Sequence, residues 1–125
     1  MRVGQIGTAS TVVAQNNTAK AVKSGSLNVF ATPMLVALME EAACNALAVS
    51  LEAGQTTVGT AISINHSAAS PLGAKITARA EITAVNKREI TFNVTAKDEK
   101  NEIGAGTHTR FMVDEARFLA RVEAP

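Results

Sequence analysis

The sequence predicts a single α+β domain over residues 1–125, in which an antiparallel sheet of four or five strands curls around one long central helix. Three observations support this prediction. One long apolar segment is bounded by helix-start and helix-end signals, four later segments alternate between apolar and polar residues, and neither a linker nor a repeat interrupts the chain. Strands that are apolar on one face need a buried layer against them, and the helix supplies it.

The first element of the sheet has the weakest pattern. The stretch Thr8–Ala14, "TASTVVA", is a plausible strand although its alternation is poor. The polar stretch 15–28, "QNNTAKAVKSGSLN", follows it and is typical of a loop, because Ser24, Gly25 and Ser26 come together there.

The central helix is predicted to begin at Thr32 and to end near Gly54. Pro33 is tolerated in a first helical turn, the Thr32 hydroxyl can cap free backbone amides, and a glycine suits the far end. A helical wheel gathers one wide apolar arc, formed by Leu35, Leu38, Met39, Ala42, Ala46 and Val49. A second apolar side surrounds Glu40 with Val36, Ala37, Ala43 and Cys44, so we expect this carboxylate to be buried.

Four further strands are predicted, at Val58–His66, Lys75–Val85, Glu89–Lys97 and Ile103–Glu115. In the first of these strands we expect Val58, Thr60, Ile62, Ile64 and His66 to face the helix. The inward faces predicted for the next two strands are Ile76, Ala78, Ala80, Ile82 and Ala84, and then Ile90, Phe92, Val94 and Ala96. In the last strand, Gly104, Gly106, His108 and Arg110 share one face.

Composition excludes several classes of function. A net charge of +1 and 3% aromatic residues argue against binding to nucleic acid or to an anionic membrane. The single cysteine, Cys44, cannot form an internal disulfide, and we find neither a signal peptide nor a run as long as a membrane span. We therefore expect a cytoplasmic protein. Two histidines more than forty residues apart make a zinc site improbable, so no metal is expected.

Three residues offer acid–base chemistry. Glu40 on an apolar helix side, His66 at the end of an otherwise apolar strand face and the Thr32 hydroxyl would supply a base, a proton-handling group and a hydroxyl. Two of them have a structural alternative: Glu40 could border solvent or pair with Arg79 or Arg110, and His66 could be a satisfied core residue.

Other candidates have a weaker basis. Cys44 is either a thiol nucleophile or a core residue. His108 and Arg110 either contact an anionic ligand or lie on a solvent-facing strand edge.

The chain resembles the small hotdog-fold acyl-CoA thioesterases, and within them the fluoroacetyl-CoA thioesterase-like group. The matching stretches are "MRVG", "VFATPMLVALMEEA", "VGTAISINHSAASPLGAKITARAEI" and "EIGAGTHTRF". The resemblance implies a five-stranded hotdog sheet, a homodimer with sites at its interface that could associate further into a dimer of dimers, and catalysis by Thr32, Glu40 and His66. It also implies that the Gly59 backbone lies beside the thioester. We expect Phe30, His108 and Arg110 to contact the substrate as well.

The implied reaction is hydrolysis of an acyl-CoA to a carboxylic acid and coenzyme A, without a metal or redox cofactor. The segment "KSGSLN" is short and has no aromatic residue before Phe30, unlike the fluoroacetyl-specific enzymes, and this departure favours a more open pocket for a larger acyl group. Two other functions are also compatible with the sequence: a non-catalytic acyl-CoA binding or sensing module, and a hotdog hydratase or dehydratase acting at the β-carbon. Lys75, Arg79, Lys87, Arg88 and Arg110 are candidates to contact the CoA phosphates.

Overall fold

The computed structural model describes residues 1–125 and contains five strands and two α-helices. In chain order they are β1 (Ile6–Val12), α1 (Thr32–Leu47), β2 (Gln55–His66), β3 (Lys75–Asn86), β4 (Glu89–Lys97), β5 (Glu102–Asp114) and α2 (Glu115–Glu123). All strand pairs are antiparallel, and the sheet order is β1-β3-β4-β5-β2. The predicted α+β fold, a five-stranded sheet with one long helix against it, is confirmed.

The core lies between α1 and the inner face of the sheet. Helix α1 packs on β1 and β3 most extensively and also touches β2 and β4. The largest fully buried apolar side chains come from both layers and are Phe30, Phe92, Leu35, Met39, Leu47, Ile76, Ile82, Ile90, Ile103, Val13 and Val94. This shared core fixes α1 across the inner face of the sheet, and α1 carries two of the predicted site residues.

Strands β3 and β4 follow the predicted alternation closely. The bounds of β4 are those predicted, and its four inward residues are buried. In β3, Ile76, Ala78, Ala80 and Ile82 are buried, but Ala84 is exposed, so its predicted inward position is wrong. The pairing of β3 with β4 shifts register between Ile82 and Ala84, and this β-bulge moves later residues to other faces.

Strand β2 contains a bulge that the alternation did not predict. Its pairing with β5 skips Thr60, with Gly59 opposite Arg110 and Ala61 opposite Thr109. After the bulge, Ile62 and Ile64 pack toward the core as predicted. Before it, Thr57 is buried and bonds to Arg110, so Thr57 and Gly59 face inward and the predicted inward positions of Val58 and Thr60 are wrong.

Helix α1 differs from the prediction at both ends. The N-cap residue is Ala31, without a side-chain cap, because the Thr32 hydroxyl bonds to His66 instead. The α-helix ends at Leu47 and continues as a 3-10 turn over Ala48–Ser50, well before Gly54. Val49, predicted on the apolar arc, is 89% exposed.

The segment Thr32–Ser50 has the length and the mean hydropathy, 1.2, of a membrane-spanning helix. The expectation that no run approaches such a length was therefore wrong by this measure. Seven residues of α1 are buried in the protein, most of them against the sheet, and this packing accounts for much of the apolar character of the segment.

Strand β1 begins and ends two residues before the predicted segment, and α2 was not predicted at all. Helix α2 has no buried residue, so it contributes nothing to the core. Asp114 starts α2, since its side chain accepts a hydrogen bond from the backbone N–H of Arg117 at 3.0 Å.

Helix α1 and β1 approach each other closely at Gly7. A Cβ atom at Gly7 would overlap the helix backbone at the Ala42 carbonyl oxygen and the Ala46 nitrogen. Side-chain bonds join the same elements, because Asn45 donates to the Thr8 carbonyl at 2.8 Å and Gln5 donates to the Ala46 carbonyl at 2.6 Å. The helix therefore depends on a glycine to lie at its observed depth.

We expect Gly7→Ala to lower the free energy of unfolding by about 3 kcal/mol, since the added methyl meets backbone atoms that cannot rotate away. Urea unfolding of the variant and of the unchanged protein measures this. Gly25→Ala is the matched control, because its new methyl would meet only the Ala19 side chain, at 3.3 Å. Equal losses in the two variants would contradict the proposed close contact.

Candidate active site

The predicted catalytic residues occupy two separate positions along α1. Thr32 and His66 lie together at the start of the helix, and Glu40 lies two turns further on with His108, Arg110 and Gly59. We call these groups the Thr32–His66 pair and the Glu40 cluster.

The Thr32–His66 pair joins the start of α1 to the end of β2. The Thr32 Oγ1 and His66 Nδ1 atoms are 2.7 Å apart, a short hydrogen bond in which the tautomer of the ring decides which atom donates. The other ring nitrogen, Nε2, is buried and has no hydrogen-bond partner in the protomer. Burial lowers the pKa of His66 from its ordinary value, so the ring is neutral near pH 7.

A small cavity of about 230 Å³ opens beside this pair. Its walls come from the loop before α1 and the loop after β2, and its lining residues include Ala19, Val29, Phe30, Thr32 and His66. Phe30 is 1% exposed and belongs to the core, and it also lines the cavity. Thr32 and His66 both line this cavity, so a hydroxyl and a neutral imidazole lie at one wall of it.

Glu40 is less buried than the helical wheel predicted. Its side chain is 39% exposed, and its Oε2 atom lies 3.3 Å from Arg110 Nη1. The alternative that Glu40 borders solvent and pairs with an arginine is therefore the observed one. The partner is Arg110, because Arg79 instead pairs with Glu81 at 3.0 Å on the sheet.

Arg110 is a buried guanidinium whose donors are occupied by three elements. Its Nε donates to Thr57 Oγ1 at 2.9 Å, and its Nη2 donates to the Thr57 carbonyl at 3.1 Å. Its Nη1 donates to Glu40 Oε2 and to His108 Nε2, at 3.3 Å and 3.2 Å. Such a residue holds the carboxylate in one position and has few free donors for a phosphate.

His108 lies beneath the carboxylate, at 2% exposure, and is stacked on Phe92 with ring centroids 5.9 Å apart. Its Nδ1 donates to the Ala61 carbonyl at 2.8 Å, and a carbonyl can only accept, so the proton is on Nδ1. Nε2 then accepts from Arg110. Burial lowers the pKa of His108, which agrees with this neutral ring.

Gly59 leaves the space in which the carboxylate sits. A Cβ atom at Gly59 would lie 2.7 Å from Glu40 Oε2, and 3.3 Å from both Arg110 Nη1 and His108 Cε1. A side chain at this position would displace Glu40 from Arg110. The β2 bulge comes directly after Gly59, and an interrupted ladder leaves backbone groups without partners on β5.

The distance between the Thr32–His66 pair and the Glu40 cluster can be estimated from helix geometry and from strand geometry. Eight helical residues from Thr32 to Glu40 span about 12 Å. Four strand residues separate His66 from Ile62, which is opposite His108, and they span about 13 Å. The two groups therefore lie too far apart in one protomer to act on the same carbonyl carbon.

The structure thus joins Thr32 to His66, joins Glu40 to Gly59, His108 and Arg110, and leaves Cys44 exposed and outside both groups. Thr57, which anchors Arg110, was not identified from the sequence. Nothing in the sequence indicates that a strand threonine anchors an arginine. The bulge also reverses the face that simple alternation predicts for Thr57. No group of three or more His, Cys, Asp or Glu side chains is arranged to hold a metal ion.

Comparison with known proteins identifies a family. The family model described as fluoroacetyl-CoA-specific thioesterase matches residues 13–116. A fluoroacetyl-CoA thioesterase from Streptantibioticus cattleyicolor is 39% identical over 98% of this chain and 92% of its own. A crystal structure of a fluoroacetyl-CoA-specific thioesterase variant with fluoroacetate and CoA is 38% identical, with a TM-score of 0.89 over 94% of this chain and 99% of that one. A hot-dog-like protein from Thermanaerovibrio acidaminovorans shares the fold, at 21% identity and a TM-score of 0.88 over 98% and 90% of the two chains.

The two histidines predict how stability depends on pH. Both have a pKa below the ordinary value because of burial, so the unfolded chain takes up protons near pH 6.5 that the folded chain does not. The free energy of unfolding should therefore fall as the pH drops below about 6.5, and be independent of these groups well above it. Urea unfolding at pH 7.5 and pH 5.5 measures the change. His66→Gln and His108→Gln should each reduce it, and an unaltered pH dependence in both variants would refute the assignment.

Proposed function

Because the chain belongs to the family of fluoroacetyl-CoA-specific thioesterases, we propose that it hydrolyses an acyl-CoA thioester to a carboxylic acid and coenzyme A. The observation that carries the proposal is the Glu40 carboxylate, which is held by Arg110, partly open to solvent and placed beside a glycine backbone. A binding module would need no carboxylate held next to the ligand in this way. The related fluoroacetyl-CoA thioesterase from Streptantibioticus cattleyicolor also points to hydrolysis.

Hydrolysis requires an oxygen nucleophile at the thioester carbon and stabilisation of the charge that forms on the carbonyl oxygen. Glu40 either takes a proton from water, whose oxygen then attacks, or attacks directly to form an anhydride that water cleaves. In both routes the carbon–sulfur bond breaks, and the departing CoA thiolate receives a proton. Backbone N–H groups near Gly59 are the candidate donors to the carbonyl oxygen, since no side chain blocks their approach. None of these steps needs a metal or a redox cofactor.

His66 and Thr32 complete the set if they belong to a second copy of the chain. Within one protomer they are about 12 Å from Glu40 by the helical rise. The His66 ring of one copy would then lie beside the Glu40 carboxylate of the other and hold or pass on its proton. Thr32 fixes the ring through Nδ1. We therefore propose a homodimer with two equivalent sites.

The edge strand β2 supports a specific pairing. It forms one end of the sheet, and Gly59, Thr60, Ala61, Ser63 and Asn65 are exposed along it. Antiparallel pairing of two β2 strands about a two-fold axis at Ser63 puts Ile62 opposite Ile64, both on inner faces. In the same register His66 lies opposite the bulge at Gly59 and Thr60 of the other copy, next to Glu40.

The acyl group is proposed to be larger than fluoroacetyl. Phe30 is the only aromatic residue that borders the cavity beside His66; the other residues drawn from the loop before α1, Ala19, Ser24 and Val29, are small or aliphatic. Such walls leave more room over the acyl end than an aromatic segment would.

We expect the protein to release free thiol from a panel of acyl-CoAs that runs from acetyl and fluoroacetyl to aromatic acyl groups. Glu40→Gln and His66→Gln should each reduce kcat by about a hundredfold or more, because each removes a proton-transfer group. Thiol detection during turnover measures the effect.

Glu41→Gln is the matched control, because Glu41 is the exposed neighbour of Glu40 on the same helix. A folded Glu40→Gln variant with unchanged turnover would disprove the catalytic role. Binding of the panel without thiol release would identify an acyl-CoA binding module. Conversion of an enoyl-CoA without thiol release would identify a hydratase.

A mixing experiment tests whether two chains share each site. Homodimers of Glu40→Ala and of His66→Ala should be inactive alone, and subunit exchange between them should restore about a quarter of native activity. Half of the dimers would then be mixed, and one of their two sites would carry both Glu40 and His66. No recovery after demonstrated exchange would place the catalytic set within one protomer.

A further inference from the structure

A short segment after β2 forms one wall of the cavity beside His66. We call residues 67–70 the wall segment, and three of them line the cavity: Ser67, Ala68 and Ala69. The fourth, Ser70, is 0% exposed and does not line it. The wall segment lies outside the helices and strands, so its position depends on the individual hydrogen bonds that it makes.

Three hydrogen bonds anchor the wall segment. At its start, the Ser67 backbone N–H donates to the Ile103 carbonyl of β5 at 2.7 Å. At its end, the Ser70 carbonyl accepts from the Phe30 backbone N–H at 2.9 Å. The Ser70 hydroxyl also donates to Asp98 Oδ2 at 2.8 Å. This last bond is made by two side chains and ties the wall segment to the turn between β4 and β5.

Asp98 is itself fixed within that turn. Its Oδ1 accepts from the backbone N–H groups of Asn101 and Lys100, both at 2.8 Å. The Asn101 N–H, the Lys100 N–H and the Ser70 hydroxyl hold the pKa of Asp98 below its ordinary value, so the carboxylate is ionised near pH 7. A hydrogen bond to an ionised acceptor is stronger than one between neutral groups. The carboxylate therefore joins an ordered turn to the wall segment.

The six buried polar or charged residues of the protein fall into two groups. Three of them surround Glu40: Thr57, His108 and Arg110. The other three, Asn17, Thr18 and Ser70, surround the stretch 29–31 that leads into α1.

The second group holds the chain around Phe30 from two sides. The Asn17 carbonyl accepts from the Ala31 N–H at 3.0 Å, and Thr18 forms an isolated β-bridge with Phe30. Ser70 holds Phe30 from the other side through its carbonyl. Phe30 and the wall segment both line the cavity, so Ser70 connects two of its walls.

Building on the proposed function, we propose that Ser70 and Asp98 are positioning residues, whose hydrogen bond fixes the wall segment and thereby decides which acyl groups fit beside His66. Ser70 transmits the position of the Asp98 carboxylate to Ala69 through the chain and to Phe30 through its carbonyl. A cavity wall that is fixed rejects acyl groups of the wrong shape, whereas a wall that moves accepts them.

Ser70→Ala removes the hydroxyl and leaves the Asp98 turn intact. We expect the ratio of kcat/KM between the best and the poorest acyl-CoA of the panel to fall about tenfold, which is the lower end of what one methylene is worth in a fitted apolar pocket. Asp98→Ala breaks the same bond, so the double variant should show the ratio of the single variants. A role in stability alone would lower all kcat/KM values by one factor and leave their ratio unchanged.

Asp98→Asn is the conservative variant and should restore the selectivity that Asp98→Ala loses. Its amide oxygen can accept from the N–H groups of the turn, and its amide nitrogen can donate to the Ser70 hydroxyl oxygen. Loss of selectivity in Asp98→Asn equal to that in Asp98→Ala would contradict a role through this hydrogen bond.

Two matched controls remove comparable bonds elsewhere. Ser50→Ala removes a hydroxyl that accepts from Gln5 Nε2 at 2.9 Å, beyond the far end of α1. Glu99→Ala removes the neighbour of Asp98, whose Oε1 accepts from the Lys75 N–H at 3.0 Å. Neither variant should change the ratio, and a change in either as large as in Ser70→Ala would overturn the inference.

Amide hydrogen exchange keeps the inference separate from the proposed function, because it needs no turnover. The Phe30 amide should exchange faster in Ser70→Ala than in the native protein, since the Ser70 carbonyl is its acceptor. Unchanged exchange, or faster exchange with an unchanged kcat/KM ratio, would overturn the inference.

Absence of thiol release from the native protein would refute the proposed function alone. The ratio of acyl-CoA dissociation constants, measured by calorimetry, would then replace the ratio of kcat/KM. A lower ratio in Ser70→Ala would support the positioning role, and an unchanged ratio would refute it.

Discussion

The buried charge of Arg110 determines how β2, β5 and α1 are arranged around it. A guanidinium taken out of water must have its donors occupied and its charge balanced. Thr57 of β2, His108 of β5 and Glu40 of α1 meet these needs, so one side chain ties three elements together. Each partner is fixed in turn: His108 by the Ala61 carbonyl and by Phe92, and Glu40 by the space that Gly59 leaves. The position of the carboxylate is thus a consequence of how the donors and the charge of a buried arginine are paired.

The parts of the fold that could be predicted from the sequence are those with one buried and one solvated face. Strand β4 has the bounds and the faces that its alternation indicates, and most of β3 does too. The wrong face assignments within the strands occur at two bulges, at Thr60 and after Ile82, where one extra residue reverses the faces. Nothing in a period-two pattern marks such a residue, and the Gly59 next to Thr60 is informative only once Glu40 is known to lie over it.

The residues of the candidate site, apart from Thr57, were named from the sequence, but their arrangement was not. Glu40 stood out because it interrupts apolar neighbours, and His66 because it ends an apolar strand face. Their distance apart depends on where α1 lies across β2 and β5, which is a property of packing. Arg110 was identified as a candidate on the face that it shares with His108. Its role in holding Glu40 depends on that packing. Sequence alone therefore could not distinguish this role from phosphate binding.

Helix α1 is less buried than its sequence predicts, and the difference lies on its exposed side. The wheel predicts burial on two apolar sides, and only one of them meets the sheet throughout its length. Thr32, Val36, Glu40 and Cys44 follow one another at four-residue spacing, so they form one ridge along the helix. Thr32 and Cys44 are exposed on this ridge, and Glu40 and Val36 are half-buried. The ridge carries Thr32, from the Thr32–His66 pair, and Glu40, from the Glu40 cluster. The edge strand β2 ends at His66, beside Thr32, and its Gly59 lies beside Glu40. A second copy paired through β2 would bring its own ridge to the same place, so a single contact would cover the apolar residues and unite Glu40 with His66. In this arrangement the residues of the second side that are exposed in one chain, Ala37 and Cys44, would be covered by the assembly of two chains.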